Sequence, residues 1–447
     1  MIPERARRVS LAWAAGALAC SCSSQPSGTL LLVTPDGETD TFTRAPTPAV
    51  LRVDEVDPSG TTRTLATAQL PVSSMDLGSL DPSSVETLTV TGLDDGGARV
   101  LFGESIPLEL GALDGATLPI FVQRTGELAL LPKPLADARR APTLAVWGRY
   151  LFVGGGADAS LALNMQLYDF AALAPVASLP GLPRDPKSIA FVGSVAWLID
   201  DSDGQATEYD LASNTWQTVS PPAGGAFADV AGGGTVVATD GTQYVVGATR
   251  TTGSKTATVL VFGSSGQPSW ASLSAPRLGA AAAWVDGRGL VVAGGSATAA
   301  GVEVLAPGAS AGTALQYAPD PSAGAGASVL PNQHVLLAGG TTPAGQDATV
   351  REIDPGCDTA GCSPAPWVAL PLALASAATF ARTGGGQPEA LVVGNEPNGT
   401  THVYRVTQAT AAEVPTKQPH TDARAVVSPT GSVVVFGGAS AIESYVP

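Results

Sequence analysis

From residue 28 onward the chain is a succession of apolar runs of four to six residues, cut by Pro, Gly-Gly, Asp-Gly or Ser-rich turns. Within many runs polar and apolar residues alternate, which is the two-residue period of a half-buried strand. Nowhere is an apolar period of 3.6 sustained long enough for an amphipathic helix. The pattern predicts an all-β protein of many short strands. Two regimes are visible. Before residue 125 the runs ("GTLLLVTP", "AVLRVDEVDP", "TTRTLATAQLP", "VETLTVTGLDD", "ARVLFGESIPLEL", "TLPIFVQR") share no common phrase. After residue 138 one phrase recurs: an apolar run, then Gly-Gly or a substitute, then a short turn and a further run.

Seven copies of this phrase can be placed: "YLFVGGG" (Gly155), "VAWLIDD" (Asp201), "QYVVGAT" (Gly247), "GLVVAGG" (Gly295), "HVLLAGG" (Gly340), "ALVVGNE" (Gly394) and "VVVFGG" (Gly438). The third runs that follow include "MQLYDF", "TVLVFG" and "THVYRV". Fourth runs carry Trp216, Trp270 and Trp367. The first runs, "PTLAVW", "SIAFVG", "GAFADV", "GAAAAWV", "GASVL", "SAATFA" and "ARAVV", are rich in Ala, Gly and Ser. Small side chains suit strands that converge on a narrow axis. These features resemble the kelch repeat, in which Gly-Gly follows strand two and Trp leads into strand four. The resemblance spans residues 126–447 and implies a seven-bladed β-propeller. Its second copy departs from the motif with Asp-Asp, and its sixth with Gly-Asn. The last copy stops after its third strand, whereas 127–131 ("ELALL") is a strand-like run without a partner. The N-terminal run is therefore expected to complete the last blade and close the ring, covering edges that would otherwise be free to pair with other chains.

The runs of 28–125 predict a small antiparallel β-sandwich, similar in architecture to immunoglobulin-like or fibronectin-like modules. Ahead of it, Arg5, Arg7 and Arg8 precede an apolar stretch and then "ALACSC", the order of a secretory signal. About eleven apolar residues are too few to span a bilayer. The stretch resembles a bacterial lipobox, which implies a signal peptide of 1–19, lipidation of Cys20 and a short linker of 20–27. Ala17 stands where the lipobox prefers Leu, and Cys22 is the alternative acceptor. Ser21 after the cysteine implies, by the same resemblance, sorting to the outer membrane. Cys357 and Cys362 in "CDTAGC" fit a disulfide hairpin in an oxidising compartment.

Composition narrows the function. The chain has 52 Gly and 36 Pro with no collagen period, in keeping with many turns. Removing 1–19 takes three arginines and one glutamate from 23 basic and 39 acidic residues, leaving a net charge near −18. So acidic a chain argues against nucleic-acid binding. No nucleophile elbow, HExxH or phosphate loop is present. The kelch resemblance admits a galactose-oxidase-like copper site, but only His334, His402 and His420 could supply imidazole, and they are scattered. Asp201 and Asp203 in "DDSDG" form a candidate Ca²⁺ site weighed against a solvated turn.

No catalytic residue or cofactor is therefore expected. The expected function is that of a monomeric, non-enzymatic envelope lipoprotein, held at the membrane by its lipid alone, whose propeller binds a protein or a glycan. The alternative is a hydrolase or oxidase with an unannounced site on the loop face. Binding is expected on the connections between second and third strands. The candidate rim there is Asp158, Asp200, Asp201, Asp203, Arg250, Lys255, Asp347 and Glu396. Its polar character favours a protein partner over a glycan.

Overall fold

The computed structural model describes residues 29–447 apart from 73, 74, 76, 78, 79, 114, 178, 201–203, 250–256, 264, 265 and 385, with only the backbone of 383 and 384. The signal segment, Cys20 and Cys22 lie outside the described residues. The protein is all-β, with two single-turn 3₁₀ segments, Leu110–Leu113 and Phe227–Val230, among the described residues.

The N-terminal module is one hydrogen-bonded path rather than the two facing sheets expected of a sandwich. Its strands lie in the order Thr62–Gln69, Val50–Val56, Val85–Leu93, Arg99–Glu104, Thr117–Arg124 and Thr29–Val33, with Leu108–Glu109 paired to the start of the third. The path forms a half-barrel in which Thr117–Arg124 lies between two partners with staggered registers. Residues 117–121 pair in parallel with Thr29–Val33, and Val122, Gln123 and Arg124 pair with the strand that ends at Glu104. Leu51, Val53, Leu88, Val90, Leu101, Ile120 and Val122 form its core.

Seven four-stranded sheets follow, the blades of a propeller. Their inner strands are Thr143–Trp147, Ser188–Val192, Gly234–Val237, Ala281–Val285, Gly326–Val329, Ser376–Gly384 and Arg424–Val427. Six of these lie in the runs expected from sequence. The third does not. "GAFADV" forms the 3₁₀ turn Phe227–Val230, where Asp229 accepts a hydrogen bond from the Ala226 N–H at 2.9 Å, and the strand begins seven residues later with the β-branched run "GTVV". A carboxylate reaching back to the amide three residues earlier favours a turn over an extended run.

The last blade contains Arg424–Val427, Val433–Phe436, Glu443–Tyr445 and, as its outermost strand, Leu128–Leu130 from the N-terminal side. Glu443 faces Leu130 and Tyr445 faces Leu128 in an antiparallel register. The strand missing from the C-terminal repeat is thus supplied from residues 128–130, inside the run expected to supply it. The free side of this strand is covered in turn: the Asp36 N–H donates to the Leu130 carbonyl at 3.2 Å.

Blades are held to one another face to face by separate apolar clusters. One joins blades four and five through Val291, Val302, Val335 and Leu337. Another joins blades seven and one through Val434, Phe436, Leu151 and Tyr168. The packing therefore continues across the point where the chain enters and leaves the ring.

Candidate functional site

Antiparallel connectivity sorts the loops. Connections between strands one and two, and between three and four, emerge on one face of the ring. Those between two and three, and from each blade to the next, emerge on the other, called here the far face. The half-barrel sits against the first of these. Its Ile106 and Phe121 pack with Phe170 of blade one and Val434 of blade seven. The Gln123 amide donates to the Ser444 carbonyl at 3.0 Å, and Arg99 donates to the carbonyl of Pro447.

On the far face, the described members of the expected rim have different fates. Asp158 is exposed, its carboxylate accepting from the N–H and hydroxyl of Ser160 at 2.9 and 2.8 Å, which keeps its pKa below the usual carboxylate value. Asp347 is bound to Thr349 and to Arg351 Nη1 at 3.1 Å, and Arg351 Nη2 reaches Asp320 at 2.7 Å. Glu396 pairs with His402 Nε2 at 2.9 Å, while Glu413 takes Nδ1 at 2.9 Å. Burial works against charging the His402 ring, but the two carboxylates outweigh it and raise its pKa above the ordinary histidine value. Asp200 is not on the rim. It is buried, at 3% exposure, with its carboxylate 3.4 Å from Arg184. Asp201, Asp203, Arg250 and Lys255, and with them the candidate Ca²⁺ position, lie outside the described residues. The connections bring Asp347 into one charge network and Glu396 into another, and leave Asp158 on its own turn.

Beneath this face the structure contains a repeated device that the motif search missed. Arg139, Arg184, Arg277 and His420 each stand four residues ahead of an inner strand. Arg277, fully buried, donates through Nη1 to Gly294 O at 3.1 Å and through Nη2 to Ala300 O at 2.5 Å, and its Nε and Nη2 face Glu303 Oε2 at 3.3 Å. His420 repeats the arrangement in blade seven, with Nδ1 at 2.8 Å from Gly437 O and Nε2 at 3.1 Å from Glu443 Oε1. Arg139 donates to Gly155 O at 3.0 Å. In blade two, where the repeat has Asp-Asp for Gly-Gly, Arg184 Nη1 lies 3.4 Å from the Asp200 carboxylate. The glycines are required where they stand: Gly294 and Gly295 have φ of +76° and +75°, and a Cβ on either would come within 2.7 Å of a backbone oxygen. The periodic Arg or His was legible in the sequence as a spacing. It was obscured because three of the seven repeats carry Val230, Ser322 or Leu372 at that position.

The three histidines have separate partners. His334 lies near the opposite end of blade five, 2.6 Å from Glu352, which also accepts from Trp367 Nε1 at 2.9 Å. Among the described residues no group of three or more His, Cys, Asp or Glu side chains is placed to hold a metal ion. Cys357 and Cys362 form the expected disulfide.

No protein-family profile matches the chain, and no curated protein matches it. Among solved structures it is similar to a novel fungal alcohol oxidase of the AA5 family in complex with copper. Identity is 12%, the TM-score is 0.42, and the match covers 82% of this chain and 89% of the oxidase. The seven-bladed assignment rests on the hydrogen-bonded ladders themselves.

Proposed function

We propose that the protein is a non-enzymatic envelope lipoprotein of kelch type, anchored at the outer membrane through Cys20, with the half-barrel as a spacer that presents the far face of the propeller to a polar partner. A protein surface ranks ahead of a glycan, because the Trp side chains serve packing: Trp216 stacks on Tyr209 with centroids 4.1 Å apart, and Trp367 is tied to Glu352.

The observation that carries the reading is the polarity of the half-barrel. Thr29 pairs with Thr117 and Val33 with Phe121, in parallel, while the same neighbouring strand runs on through Arg124 toward the propeller. Thr29, the first described residue, thus lies at the end of this strand pair opposite to Arg124. The half-barrel also occupies the face opposite Asp158, Asp347 and Glu396, which supports display of that rim away from the bilayer. Anchoring is tested by Cys20→Ala: fatty-acid labelling is expected to disappear and the protein to leave the mature membrane-bound fraction. Persistent labelling, or a larger effect from Cys22→Ala, contradicts the assignment.

A further inference from the structure

Between the half-barrel and blades seven and one lies a cavity of about 30 Å³, lined in part by Glu104, Phe121, Phe170, Thr430 and Ser444. A space of that size holds a water or two and no substrate. Its chemistry therefore bears on the two modules it separates. Glu104 ends the strand Arg99–Glu104, and its Oε2 lies 3.9 Å from where a Cβ on Gly431 would stand, so the carboxyl addresses the turn between strands one and two of blade seven. Of the residues lining the cavity, Glu104 alone is ionisable.

Every element packed around the cavity offers it little. In the turn of residues 428–432, the Ser428 hydroxyl bonds those of Thr430 and Ser432 at 2.9 and 2.7 Å, so these groups are already partnered with one another. Blade one contributes Ala171 and Leu173. Arg99 and Arg382 have other partners: Arg99 bonds Pro447 O, and Arg382 pairs with Glu389 and reaches the Tyr445 hydroxyl at 3.2 Å. The Glu104 carboxylate has no hydrogen-bond or ion-pair partner among the described residues.

We propose that Glu104 is a proton-controlled latch between the anchoring module and the propeller. When protonated it lets the half-barrel seat on the 428–432 turn. When ionised it loosens that seat, so that the propeller tilts on its anchor while the Leu128–Leu130 strand keeps the two parts joined.

Burial of the carboxyl raises its pKa from 4.5 to about 7 in the docked arrangement. Well below pH 4.5 the group is neutral whether docked or not, and docking is undisturbed. Between 4.5 and 7 the undocked form ionises first, so docking weakens as pH rises, and the full loss is present above 7. Each unit of difference corresponds to about a tenfold change in the docking equilibrium.

The test is hydrogen–deuterium exchange of the full chain and of Glu104→Gln, compared at the same pH so that intrinsic exchange rates cancel. At pH 3.5 the two proteins should be equally protected in residues 99–104 and 428–432. At pH 8 the wild type should be at least about tenfold less protected there than Glu104→Gln, with the remaining blades unchanged. Equal protection at pH 8, a pH-dependent loss retained in Glu104→Gln, or a difference spread over all blades would overturn the latch.

Discussion

Removing the Glu303 carboxylate should be among the most damaging single changes in the propeller. Glu303 and Arg277 are both fully buried. The carboxylate receives Arg277 Nε and Nη2 at 3.3 Å, the Ser274 hydroxyl at 2.9 Å and the Ser274 N–H. Glu303→Ala leaves a guanidinium out of water with only its two carbonyl acceptors, and orphans a backbone amide. Breaking a buried pair from one side costs about 3–5 kcal/mol. An orphaned donor adds on the order of 1–3 kcal/mol, part of which overlaps with that figure. A loss of about 4 kcal/mol in the urea-unfolding free energy, at unchanged m value, is therefore expected. Arg277→Met alone strands the carboxylate, although Ser274 still serves it, and should cost roughly 3 kcal/mol. The double variant Arg277→Met with Glu303→Ala removes both charges together and should recover roughly 2 kcal/mol relative to the sum of the singles. Additive effects, or a loss below about 1 kcal/mol for Glu303→Ala, would refute the claim that this pair locks blade three's exit loop to blade four.

Two further outcomes follow from the same packing. Leu128 is fully buried among Leu391, Val403, Val435 and Tyr445, so Leu128→Ala should cost about 2–5 kcal/mol and loosen exchange in Glu443–Tyr445 first; an unchanged unfolding midpoint would mean that the ring does not depend on its N-terminal strand. The Cys357–Cys362 bridge closes a loop with a sequence separation of only 5, so Cys357→Ser with Cys362→Ser should cost about 2 kcal/mol or less in thermal or urea unfolding, and a collapse of the propeller would show that the bridge does more than close its own loop.

How much of this was legible in the sequence depends on where the determining interaction lies. The blade count followed from spacing, because each Gly-Gly sits at a local turn whose geometry is set by two residues. Ring closure followed from an unpaired run and an unpaired edge. The third inner strand was misplaced because "GAFADV" matches the small-residue composition of its equivalents, while its conformation is set by Asp229 reaching back to Ala226, a contact that composition does not report. The half-barrel was read as a sandwich for a similar reason. Alternation gives strands, but the staggered pairing of Thr117–Arg124 between its two partners is a tertiary event. Asp200 shows the same limit at the candidate site: a carboxylate beside a turn resembles a solvated rim residue until Arg184 is placed against it.

The most direct test of the display model places photo-crosslinking residues in the anchored protein at exposed far-face positions, Asp158, Thr341 and Asn398, and at exposed positions on the opposite face, Arg149, Asp240 and Asn332. Adducts should form in the cell envelope from the far-face set, fall at Thr341 and Asn398 when Asp158 or Glu396 is reversed in charge, and be absent from the opposite set. Adducts of equal yield from both faces, or only from the face that carries the half-barrel, would contradict the account.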